Sequence, residues 1–307
     1  MKAIADGLDG PAGVPNKRPS NLLVGTWNIA LFGGLSKGGW ETKPPTTSPK
    51  RNLTHLCCIA EVINRFDVCA IQETQELTAL RALMRVLGPD WGFIVSDVTE
   101  GDPGNSERLC FVYDRRRVKP SGLVGEIVIP LEELALGDTL DRQFARTPYA
   151  VSFAAGAKSF TLVTLHVLFG ETKAEKRRRR DELAKIAEWL SERANEPDDF
   201  NRNLIALGDF NIDRRDDDYW LAFASTGLGA PIPLQEARRN IAASTGGTDK
   251  YYDQIAWFQD GDLAKLTLEY TAAGSFLWTD HILQGMTNPA KKARISDHYP
   301  LWVEFRR

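Results

Sequence analysis

Several apolar runs in this 307-residue chain end on a carboxylate, an amide or an imidazole. Asn28 follows GTW, Glu73 follows AIQ, His166 follows TLVTL, and Asp209 and Asn211 follow an aliphatic run at 204–207. Asp253 interrupts YYDQIAWF, and Asp297 and His298 precede YPLWVEF. Any one of these could be a turn residue, since Asp and Asn after a strand commonly do no more than reverse the chain. Together they describe metal-assisted phosphoryl transfer. A hard cation needs oxygen ligands, an attacking water needs a base, and a leaving oxygen needs a proton or a positive charge.

The stretch 203–213, NLIALGDFNID, shows how such groups are positioned. A continuous aliphatic run bounded by Gly208 suits a strand buried on both faces and ending near that glycine. Side chains alternate along extended backbone, so Asp209 and Asn211 share one side while Phe210 turns to the core. Further strands are expected at 21–30, 67–72, 92–98, 109–113, 123–130, 149–154, 160–167, 251–258, 266–270 and 300–305. Helical spacing of apolar residues appears at 53–66, 77–87 and 173–194, with a short helix near 217–223. Residues 99–106 read as a hairpin connection, and 33–51, with Trp40, as a long loop. Residues 1–20 are rich in Gly, Pro and charge and are expected to be a flexible tail. Residues 21–307 then form one catalytic domain, two stacked mixed β-sheets flanked by helices, an α/β sandwich.

Composition sets limits. With 43% hydrophobic and 26% charged residues the chain is a globular protein with a sizeable core. A formal net charge of −3 gives no global basic field, so a nucleic-acid partner requires a local patch. The run KRRRR at 176–180 supplies one, with a second at 115–117. Arg177, Arg178, Arg179 and Arg180 are read either as a phosphate track or as a solvated helix face balanced by Glu171, Glu175, Asp181 and Glu182. Four cysteines without metal-type spacing argue against a disulfide framework and for a reducing compartment. There is no secretory h-region and no apolar run of the roughly 20 residues a bilayer requires. A cytoplasmic location without membrane contact is expected. His55 and His281 lack the strand context of the other two histidines and are read as structural.

TWN (26–28), QE (72–73), TLH (164–166), GDFN (208–211) and SDHYP (296–300), in that order, resemble the endonuclease/exonuclease/phosphatase superfamily. This is the fold of deoxyribonuclease I and exonuclease III, and the resemblance spans residues 21–307. It implies that Glu73, with Asn28 and Asp297, binds Mg²⁺ or Mn²⁺. His298 would contact the scissile phosphate or activate water, its tautomer set by Asp253. Asp209 and Asn211 would position water and phosphate, and His166, paired with Glu107, would donate from the other side. Arg146 would stand near the phosphate. Acid and base stay unassigned among His166, Asp209 and His298. Where the deoxyribonuclease pattern has an arginine two residues after the metal-binding glutamate, this chain has Gln75, so insertion of that arginine into the minor groove is not carried over. The implied activity is metal-dependent hydrolysis of nucleic-acid phosphodiesters, foremost by a DNA endonuclease. The alternative is a phosphatase or phospholipase-type enzyme acting on a small phosphorylated molecule or lipid head group. A catalytically silent binding module is disfavoured by the presence of Glu73, Asp209 and His298.

Overall fold

A strand that is apolar on both faces needs cover on both, and here four layers supply it. The computed structural model describes residues 2–36, 50–98, 106–136, 143–196, 200, 203–241, 250–258 and 266–307. β1 (Asn21–Phe32), β2 (Val68–Thr74), β3 (Trp91–Val95) and β4 (Arg108–Asp114) open the first sheet. β5 (Lys119–Glu126), β6 (Tyr149–Ala155), β7 (Lys158–His166), β8 (Leu204–Ile212), β9 (Leu228–Gly229) and β10 (Tyr251–Phe258) form the second. β11 (Glu269–Ser275) and β12 (Leu301–Arg306) then return to the first. The orders are β11-β12-β1-β2-β4-β3 and β5-β6-β7-β8-β10-β9. β1 with β2 and β7 with β8 are parallel and the other pairings antiparallel, so both sheets are mixed.

The helices are α1 (Lys2–Leu8), α2 (Leu53–Ile63), α3 (Leu77–Leu87), α4 (Leu131–Leu136), α5 (Lys173–Asn195), α6 (Asp218–Ala224), α7 (Ile232–Glu236) and α8 (Asn288–Lys292). Between the sheets lie Val24, Phe111, Phe153, Leu207 and Phe305. Trp27 and Ile71 on the outer face of the first sheet meet Leu56 and Ile59 of α2. Val163 and Phe210 on the outer face of the second meet Leu183, Ile186 and Leu190 of α5. Capping boxes at Asn52 and Thr172 start α2 and α5 by pairing the first free amides of each helix. No helix among the described residues is long and apolar enough to cross a membrane.

Three expectations are corrected. Residues 2–20 are not a loose tail, because Ile4, Leu8 and Val14 are buried with α2 and α3. Arg65 donates to Asp9 at 2.7 Å, and Gly7 packs so closely on the His281 ring that a side chain there would collide. The cause is a single pair of apolar residues four apart on one helix face, which a composition rich in Gly and Pro concealed. Leu8→Ala should therefore lower unfolding free energy in urea by about 2–4 kcal/mol, the usual cost of a buried leucine truncation. A change below about 0.5 kcal/mol would return the segment to a tail.

The other two corrections concern boundaries. β8 does not end at Gly208 but continues to Ile212. Gly208 has φ of 139°, and a side-chain carbon there would strike the Leu165 carbonyl oxygen of β7. The glycine thus allows close approach of two strands. The strand expected at 123–130 is β5, shifted toward the N-terminus, and the residues after it form α4. Residues 37–49, including Trp40, 99–105 and 242–249 lie outside the described residues.

Candidate active site

The site lies where the two sheets meet at one end of the sandwich. β1 and β2 deliver Asn28 and Glu73 from the first sheet, and β7 and β8 deliver His166, Asp209 and Asn211 from the second. Asp253 enters from β10, and Asp297 and His298 arrive just before β12. A polar seam joins the halves. Asn28 Nδ2 donates to Glu73 Oε1 and to Asp209 Oδ2, both at 3.0 Å. Behind it, Gln72 Nε2 donates to Thr26 and Thr164 hydroxyls at 3.1 and 3.0 Å. Leu31, Glu73 and Asn211 have left-handed backbone, with φ of 50°, 60° and 51°. For side-chain-bearing residues this conformation costs about 1 kcal/mol or more each and turns the strand ends inward.

His298 is held from every direction. Its Nδ1 lies 2.6 Å from Asp253 Oδ2, leaving Nε2 facing Asp209 Oδ2 at 3.9 Å. The indole N–H groups of Trp27 and Trp278 both donate to its carbonyl at 3.0 Å. Its amide donates to Ser296 Oγ at 2.9 Å, and that hydroxyl donates to the Asn28 carbonyl at 2.7 Å. Burial opposes charge on the ring, yet Asp253, then Asp209 and Asp297, outweigh it and push the imidazole up to about 10. Burial also raises the Asp253 carboxyl, to about 6.

A second carboxylate–imidazole pair stands opposite. Glu107 Oε2 lies 3.0 Å from His166 Nδ1, and His166 Nε2 faces Asp209 Oδ2 at 3.6 Å. Burial works against protonated His166, but the Glu107 carboxylate holds its pKa above the ordinary value. Arg146, expected beside the phosphate, is 4% exposed and donates to Glu107, so it braces His166 through that carboxylate. Asp209 Oδ1 accepts the Asn211 amide at 3.0 Å, and Asn211 Nδ2 donates to the Val167 carbonyl at 2.7 Å. Asn211 therefore helps to hold β7 and β8 together at the site. Two imidazoles, each backed by a carboxylate, converge on Asp209.

The oxygen set beside them fits a hard divalent cation. Asn28 Oδ1 and Asp297 Oδ1 are buried without a hydrogen-bond partner among the described residues, and Glu73 adds a carboxylate. Few carboxylates with room for water suit Mg²⁺ or Mn²⁺. Asp297 Oδ2 accepts from Lys292 Nζ at 2.8 Å, which lowers the charge the cation would meet. Asp209, Asp253 and His298 also present ligand atoms within 4.8 Å of one another. The imidazole there is the poorer ligand, since three carboxylates keep it protonated and a protonated ring has no lone pair to give.

The KRRRR run divides by helical geometry. Successive residues of α5 are about 100° apart, so four adjacent arginines cannot share a face. Arg179 points inward, fully buried, donating to the Asn211 carbonyl at 2.9 Å and the Tyr219 hydroxyl at 3.0 Å. Arg178 pairs with buried Glu182 at 3.1 Å. Arg177 and Arg180 stay at the surface, both near Asp181. As substrate contacts, Arg178 and Arg179 are corrected to structural braces.

Sequence reasoning also passed over residues that hold the site. Arg51 is 2% exposed and donates to the carbonyls of Ala30, Leu31, Arg294 and Ile295 at 2.8–3.2 Å. It ties the backbone beside Glu73 to that beside Asp297, and no local pattern marks an arginine for such a task. Ser296 lay within a recognised motif, and its hydroxyl proves to be the stitch between Asn28 and His298.

Comparison with known proteins bears on the family and the fold. A curated deoxyribonuclease from Thioalkalivibrio sp. (strain K90mix) is 22% identical over 306 residues, 95% of this chain and 73% of that protein. Among solved structures, a mannosyl-6-phosphatase from Bacteroides thetaiotaomicron is similar at a TM-score of 0.59 and 16% identity, covering 92% of this chain and 99% of the other. D. rerio TDP2 complexed with single strand DNA product is similar at 0.57 and 16%, covering 94% and 100%. The profile of the endonuclease/exonuclease/phosphatase family matches residues 25–298. With that match over most of its length, the chain belongs to the endonuclease/exonuclease/phosphatase family of phosphoester hydrolases.

Proposed function

We propose that the protein is a metal-dependent phosphodiesterase that hydrolyses DNA in the cytoplasm. The observation that carries this reading is the pair of carboxylate-backed imidazoles facing one carboxylate, Asp209, beside a hard-oxygen set. A DNA phosphodiester has a poor alkoxide leaving group, so cleavage needs one group to take a proton and another to give one. Asp209, between the rings, takes the proton of the attacking water. His166, kept protonated by Glu107, supplies the proton to the leaving oxygen. His298, fixed by Asp253, donates from Nε2 to the phosphate and offsets the charge that grows in the transition state. Mg²⁺ or Mn²⁺ bound by Glu73, Asn28 and Asp297 would supply Lewis-acid polarisation of the phosphoryl group.

The polymer substrate is supported by the deoxyribonuclease relative, whose likeness runs over 95% of this chain. The cysteines are all free thiols, which supports a reducing setting. The second reading, a phosphatase of small phosphorylated molecules, draws on the mannosyl-6-phosphatase likeness, which speaks for the fold alone. Supercoiled plasmid, linear duplex, single-stranded DNA and a sugar phosphate, incubated with Mg²⁺, Mn²⁺ or EDTA, separate the two. Nicking that EDTA abolishes is expected. Release of orthophosphate from the sugar phosphate with all DNA intact would overturn the nuclease reading in favour of the phosphatase.

A further inference from the structure

Beyond His298 an aromatic wall continues out of the site. The Tyr252 ring lies 6.1 Å from that of His298, tilted by 30°. Phe169, three residues past His166, packs edge-on against Tyr252 at 6.3 Å and is still 46% exposed. Lys250 Nζ stands 5.9 Å from the centre of the Tyr252 ring. The buried Arg179 guanidinium lies 5.4 Å from Phe169 and 4.0 Å from Tyr219. Tyr219 in turn lines a cavity of about 370 Å³ whose cations are Lys176, Arg177, Arg180 and Arg214. Of the three carboxylates there, Asp213 is already paired with Arg179 and Lys250 and Asp217 caps α6, which leaves Asp218 against four cations. The Arg214 backbone amide donates to Asp217 Oδ2 at 2.8 Å, which places its side chain at the rim.

We propose that Phe169 and Tyr252 form a stacking subsite for the base of a nucleotide adjoining the scissile phosphate, and that the next phosphate along the strand enters the basic cavity. The inference rests on the nuclease reading and adds the substrate form. An exposed aromatic surface beside a catalytic imidazole serves neither water nor phosphate, whereas a nucleobase offers a flat face of its own. Stacking of this kind tolerates any base. It also requires the base to be free of its neighbours, so an unpaired strand or a frayed end is favoured over intact duplex. The order of features matches the chemistry of such a strand, with imidazole, aromatic faces and cations in succession.

The test uses a short single-stranded oligonucleotide with one base-free tetrahydrofuran nucleotide, moved along the sequence, and reads cleavage at each phosphate in Mg²⁺. In the native protein, removing the base should slow cleavage at one adjoining phosphate about tenfold. Phe169→Ala should show a similar slowing with the base present and little further loss without it, while Phe169→Trp should restore the base dependence. If the base-free nucleotide costs the same factor in the native protein and in Phe169→Ala, stacking is excluded even though DNA is cleaved. If the native protein cleaves no DNA, the nuclease reading falls and takes this subsite with it. A role for Phe169 in merely covering Arg179 would lower cleavage of both oligonucleotides equally.

Discussion

Glu73→Ala is expected to lower metal-dependent hydrolysis by two to three orders of magnitude, about the loss seen when one stabiliser of transition-state charge is removed. It should also remove Mn²⁺ binding measured by calorimetry or electron paramagnetic resonance. Folding should hardly change. Among the described residues the Glu73 carboxylate accepts from Asn28 and from the Leu31 amide, at 3.0 and 2.8 Å, and each such bond contributes about 1 kcal/mol. Against that, the variant relieves repulsion from the carboxylates of Asp209 and Asp297 in the cation-free protein. Loss of turnover together with loss of Mn²⁺ binding would place the cation at this edge of the site. Undiminished Mn²⁺ binding would instead move it to the cluster of Asp209, Asp253 and His298.

The other large effect concerns the Asp253–His298 pair. An imidazole joined to a buried carboxylate at 2.6 Å has its tautomer and its orientation set by that bond. Asp253→Asn keeps the shape and removes the charge, and in analogous triads such a change lowers turnover by about 10⁴. His298→Ala should cost a similar factor, because the ring is the group through which Asp253 acts. The double variant is the decisive measurement. Residues that work as one unit lose almost everything at the first substitution, so the double should fall little below either single. If the two factors multiply, the pair does not act as a unit and His298 works independently of Asp253.

The strand-and-helix order was largely legible because it rests on periodicity. α3 spans 77–87 as its apolar spacing predicts, and the buried strands follow from continuous aliphatic runs. What escaped depends on contacts between distant residues. α1 is too short to announce itself, and its two buried apolar residues matter only because α2 offers a slot for them. Within the site, groups that end strands could be read from position in the chain. Arg51 acts on backbone carbonyls far from its own segment, and nothing nearby in the chain points to those partners. Arg146 could be placed near the site from its motif, but its pairing with Glu107 carries no sign in the sequence, which does not show which anion a buried guanidinium will meet. The arginine run misled for a related reason. Charge density along the chain is not charge density on a surface, and helix geometry turned Arg179 to the inside.

The register of β1 bears on biosynthesis. β1 pairs with β12 on one side, joining Asn21 to Arg306, and the segment that leads into β12 supplies Asp297 and His298. The whole second sheet is made between these two strands. Pairings this distant form late, after the entropy of closing a very long loop has been met. Glu73, His166 and Asp209 all precede, in the order of synthesis, the segment that brings the imidazole at 298 to complete them. The reacting groups of the first and second sheets therefore stay an incomplete set until β12 has paired with β1, so assembly of the site is tied to the last long-range pairing of the fold.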